Sequence, residues 1–114
     1  MENIIQVKSF HFALRIVKLC GFLRDTKKER IMTTQLLRCG TSIGANVAES
    51  EHAQSKADFS SKLNIALKEA AETDYWLRLL HGAKILSDTE FQSIYEDCQE
   101  LERILASIVK TTKK

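Results

Sequence analysis

The densest chemistry in the chain lies near position 50. Glu49 and His52 form a Glu-x-x-His pair, the spacing with which di-iron four-helix proteins aim two ligands at one metal. Such a site needs the pair twice, plus a glutamate from each of two other helices. Here the pair occurs once: Lys8 precedes His11 at that spacing, and Arg78 precedes His81. Glu69 and Glu72 would complete only a lopsided ligand set. Glu49 is therefore read as a helix-end carboxylate and His52 as a surface histidine, with no metal and no other cofactor. Ser42, Cys20, Cys39 and Cys98 have no histidine at a telling spacing, although a triad built from distant residues leaves no local trace. Gly40 and Gly44 lack the phosphate-cradling Walker pattern. No catalytic residue is assigned, and a metal-dependent enzyme is the most remote of three readings.

Two other polar sets carry more weight. Lys8, His11, Arg15 and Lys18 follow steps of three, four and three, which places them along one side of a helix. Met1–Arg24 carries +3, whereas Ile85–Lys114 carries −2. The basic stripe is a candidate nucleic-acid surface, salt-dependent and indifferent to sequence; its plain alternative is the solvent face of an amphipathic helix. The overall charge of +2 is too small to imply nucleic acid by itself. Arg38, Asn46, Glu49 and Glu69 form the second set. They are read as pairing between helices or across subunits, since a planar guanidinium suits a carboxylate.

The elements that position these residues are helical. The 114-residue chain has no proline and is 44% hydrophobic, enough for one domain with a real core. Apolar residues recur at helical spacing in segments of about 4–24, 27–51, 56–83 and 88–110. The first has Ile5, Phe12, Ile16, Leu19 and Leu23, broadened by Phe10, Ala13, Val17 and Cys20. Thr26 with Glu29, Ser55 with Asp58, and Ser87 with Glu90 have the spacing of helix-start capping pairs; Gly82 marks a stop. The third stripe is Phe59, Leu63, Ala66, Ala70, Thr73, Leu77 and Leu80. The fourth is Phe91, Ile94, Cys98, Leu101, Leu105 and Ile108. Short connections favour antiparallel neighbours, so the expected fold is all-α, an antiparallel up-down-up-down four-helix bundle. The third helix is apolar beyond its core stripe, which makes Tyr75 and Trp76 interface candidates.

Gly40 and Gly44, with Ala48 in the same step of four, are expected on one helix face that lets a neighbouring backbone approach. Each glycine costs roughly 1 kcal/mol against alanine in a helix, which tight packing offsets and an exposed face does not. A continuous second helix is favoured over a break at either glycine.

The stretch "QLLRCGTSIGANVAESEHAQSKADF" (Gln35–Phe59), followed by "KLNIALKEAAETDYWLRLL" (Lys62–Leu80), resembles the 23S rRNA intervening sequence proteins, a four-helix bundle family. Arg38, Ser42, Asn46 and Glu49 match its central motif, and Glu69 its Ala-rich third helix. Gly44 departs from it, since many members have proline there. The resemblance covers nearly the whole chain and implies a ring-like homopentamer without established enzymatic activity. It extends to the accessory variability proteins of diversity-generating retroelements, pentameric bundles that bind nucleic acid and a reverse transcriptase.

Three scattered cysteines without a C-x-x-C pair point to a reducing compartment. No apolar run reaches the roughly 20 residues of a membrane span, and Met1–Phe10 lacks a signal-peptide core. The expectation is a cytoplasmic, non-enzymatic homo-oligomer that binds RNA, DNA or a nucleic-acid-processing protein. A purely structural protein–protein scaffold is the alternative.

Overall fold

A computed structural model describes residues 3–112. The helices are α1 (Ile4–Thr26), α2 (Ile31–Ser50), α3 (Lys56–Gly82) and α4 (Asp88–Thr112). Each packs on its neighbours in chain order, and α1 closes on α4. The cross-helix contacts run in opposite senses at every seam. Ser9 meets Gly44 and Ile16 meets Gly40; Arg38 pairs with Glu69 and Glu72, and Glu49 with Lys62. Tyr95 reaches Asp74 and Thr112 reaches Ser60, while Lys8 meets Glu100 and Arg15 meets Asp97. The bundle is therefore antiparallel and up-down-up-down, 44 × 25 × 19 Å. Helices of this length span roughly 30–40 Å, so the long dimension is one helix.

The apolar stripes become the core. Leu63, Ala66, Ala70, Thr73, Leu77 and Leu80 of α3 are buried, as are Ile94, Cys98, Leu101, Leu105 and Val109 of α4. Phe59, Phe91 and Ile108 are only half-buried. All three cysteines are free and buried. In α1 the buried row is Ile5, Ser9, Phe12, Ile16, Cys20 and Leu23. Phe10 and Val17 are 64% and 51% exposed instead. They stand more than 90° round the helix from Ile16, as 100° per residue requires.

The helix starts test the capping pairs. Ser87 and Glu90 form the full box: the Glu90 amide donates to the Ser87 hydroxyl, and the Ser87 amide to the Glu90 carboxylate. Ser55 accepts from the Asp58 amide. Thr26 does not start α2; it is the last residue of α1. Glu29 does the capping alone, accepting from the Met32 and Thr33 amides and the Thr33 hydroxyl. α2 consequently begins at Ile31, four residues later than expected. Gly82 ends α3 without a positive φ. The left-handed residue is Lys84, at φ 63°. Around it the Ile85 amide donates to the Leu80 carbonyl and the Lys84 amide to that of His81, a Schellman closure.

α2 is one unbroken helix through Gly40 and Gly44. A Cβ on Gly40 would stand 2.9 Å from two carbons of Ile16, and one on Gly44 would stand 3.2 Å from the Ser9 carbonyl oxygen. These glycines admit α1, as their spacing predicts. Ala48 does not join them. It is exposed, because each 4-residue step drifts about 40° round the helix and Val47 takes the buried position.

Candidate functional site

The motif residues divide by seam. At the α2–α3 seam, Arg38 pairs with both Glu72 and Glu69, the latter at 3.4 Å, and its Nε donates to Gln35. The Trp76 indole donates to the same Glu72 at 2.9 Å. Glu72, hydrogen-bonded by Arg38 and Trp76, is held below the usual carboxylate range. The same Glu72 contact raises Arg38, against a smaller desolvation penalty. About three turns further along α2, Glu49 pairs with Lys62 at 3.1 Å. Ser42 and Asn46 donate to carbonyls of their own helix, those of Arg38 and Ser42. The Arg38 side chain is 49% exposed, so the network orients α2 on α3 while adding little stability.

The α1–α4 seam takes the basic stripe. Lys8 pairs with Glu100 at 3.0 Å, and Arg15 with Asp97 at 2.6 Å and with the Ser93 hydroxyl. His11 and Lys18 are exposed. Below these pairs lies a groove of about 360 Å³ with Val7, Phe12 and Leu101 in its floor and His11 at its rim. The uneven charge of the sequence, a basic first helix against an acidic fourth, is thus partly an internal pairing.

The α3–α4 seam holds polar groups that the sequence did not single out. Asp74 accepts from Arg78 at 2.7 Å and from the Tyr95 hydroxyl at 3.0 Å. Glu102 stands beside it, pushed up to about 7 by burial and by sharing a hydrogen bond with Asp74. His81, Phe91 and Tyr95 stack in a row, with ring centroids 4.1 and 4.7 Å apart. The one available signal was spacing: Tyr95 and Glu102 flank Cys98 on the α3 side of α4.

On α1, Phe10, Leu14 and Val17 follow steps of four and three and so share one face, and α2 carries no charged residue from Thr41 to Ala48. Phe10, Leu14 and Val17 are 64%, 45% and 51% exposed. On α2, Thr41 is half-buried and Ala45 and Ala48 are exposed. On α3, Tyr75, Ile65 and Leu79 are exposed, whereas Trp76 is half-buried.

Burial raises the thiols of Cys20 and Cys39 to about 11 and that of Cys98 higher. Among the described residues no three His, Cys, Asp or Glu side chains gather as metal ligands. Among the same residues, no helix is long and apolar enough to cross a membrane.

The model of the 23S rRNA-intervening sequence proteins matches residues 1–107. The chain belongs to this family. A solved relative is described as a protein with unknown function from the S23 ribosomal protein family of Bacteroides thetaiotaomicron VPI-5482. It is 52% identical, with a TM-score of 0.91 over 93% of this chain and 98% of its own. Comparison with curated proteins gives no match. Within the family fold, the Arg38 motif thus lies along the α2–α3 seam, and the small-residue motif between α1 and α2.

Proposed function

We propose that this family member is a non-enzymatic adaptor of the cytoplasm, which associates with copies of itself and offers a surface to RNA or DNA. The exposed apolar row Phe10, Leu14 and Val17 carries the self-association. An exposed apolar row of this kind favours burial against another chain. The resemblance makes a homopentamer the expected size. Buried thiols of raised pKa are poor nucleophiles, which supports a binding role. Three free cysteines suit a reducing compartment.

Light scattering on the eluting protein tests the assembly. The parent should run as a multimer at micromolar concentration, and Leu14→Glu with Val17→Glu should run as a folded monomer. A monomeric parent would remove the assembly from the proposal. The second reading, a protein–protein scaffold without nucleic acid, draws on the ion pairs that occupy Lys8 and Arg15. Tyr75 and Leu79 would then be anchors for a protein partner.

A further inference from the structure

Of the cations in the first-helix stripe, Lys18 alone is exposed without an ion pair among the described residues. Lys8 and Arg15 already face Glu100 and Asp97, so a nucleic acid would have to displace these carboxylates. The turn from α1 to α2 differs. Lys27, Lys28 and Arg30 follow within four residues, all are exposed, and among the described residues none has a carboxylate within ion-pair distance. The α3–α4 turn lies at the same end of the antiparallel bundle and adds Lys84, exposed and likewise without such a pair.

The acids at this end are mostly occupied. Glu29 turns toward the start of α2, where Met32 and Thr33 donate to it. Asp88 faces His81 at 2.7 Å, and Glu90 closes the cap with Ser87. Asp25 alone is exposed without an ion pair among the described residues. A second observation concerns backbone. Lys28 and Lys84 adopt φ of 59° and 63°, the left-handed region that glycine or asparagine occupies at lower cost. Both turns therefore place a long cationic side chain where the backbone favours a smaller residue. Strain at such positions is a pointer toward function.

We infer that the end of the bundle formed by the α1–α2 and α3–α4 turns is a contact surface for nucleic-acid phosphates, with Lys27, Lys28, Arg30 and Lys84 as its cations. The inference rests on the nucleic-acid part of the proposed function and gives it a location. Contacts from these side chains to the backbone are indifferent to base sequence, and each releases about one counterion.

Anisotropy of a labelled RNA hairpin and of a DNA duplex of equal length, each over a salt series, tests it with the full chain. Lys27→Gln, Lys28→Gln and Arg30→Gln together should weaken binding about ten-fold or more at low salt. They should also reduce the slope of log K against log salt by about 3. Lys84→Gln should reduce it by about 1 more. Lys8→Gln with Arg15→Gln should leave affinity within about two-fold, because those charges are already neutralised. The tighter probe identifies the source of the phosphates. If the end variants bind like the parent while the seam variants lose binding, the location is overturned and the nucleic-acid reading survives. If the parent binds neither probe, both fall. Circular dichroism of each variant separates lost contact from lost fold.

Discussion

The α1–α2 and α1–α4 seams hold the same helix by opposite means. On one side, Gly40 and Gly44 let α2 come close enough that a single added carbon would crowd Ile16 or the Ser9 carbonyl. On the other, Lys8 and Arg15 reach over an open groove to acids on α4. Packing of the first kind is unforgiving of volume, since interiors near crystal density have no room to yield. Ion pairs with side chains 36–47% exposed are forgiving, since solvent screens them. One face of α1 is thus fixed by shape and the other is held loosely by charge.

The largest effect should come from volume at the tight seam. Gly40→Leu should abolish folding or lower stability by about 3 kcal/mol or more, measured by thermal and urea melts. A parent-like melt would mean that α1 and α2 do not approach as described. Gly21→Ala sharpens the contrast in the other direction. Gly21 has no neighbouring atom within 4 Å of an added Cβ, so alanine should stabilise by about 0.8–1 kcal/mol through helix propensity alone. If it destabilises, a partner surface lies on that side of α1.

The third seam adds a pH dependence of its own. Glu102 is raised to about 7 against an ordinary value near 4.5. Folding therefore favours its protonated form. That contribution is fully present below about pH 4.5 and is lost as pH rises through 7. Glu102→Gln should melt like the parent at pH 4 and above it at pH 8, by an amount on the order of 1 kcal/mol once solvent screening is allowed for. Equal melts at both pH values would show that Glu102 ionises normally. The smallest effect should be at the loose seam. Lys8→Ala with Arg15→Ala should cost about 1 kcal/mol or less in total, and less in high salt.

The parts of this molecule legible in the sequence are those set by helical periodicity. Leu63 through Leu80 on α3 and Ile94 through Leu105 on α4 repeat at three and four, and such a repeat has one burial solution. The Ser87–Glu90 box was readable for a similar reason, since both partners lie within one turn. Thr26 failed because an N-cap spacing is blind to whether the preceding helix has ended. Val17 and Phe10 failed because α1 is apolar on two sides, and hydrophobicity alone does not say which side meets the other helices. Arg38 was recognisable as a bridging residue, but its choice of Glu72 depends on the register between α2 and α3, which no single helix encodes. The loss of Lys8 and Arg15 to Glu100 and Asp97 was hidden for the same reason, although the opposed charges of the two segments hinted at it.

The single tryptophan of the chain gives the Arg38 network a built-in optical reporter. Its indole shares Glu72 with the guanidinium, so any separation of α2 from α3 changes the polarity around the ring. Emission should shift to the red when that pair opens, long before the helices themselves melt. The motif's state can thus be followed in the unlabelled protein, during assembly or on addition of a partner.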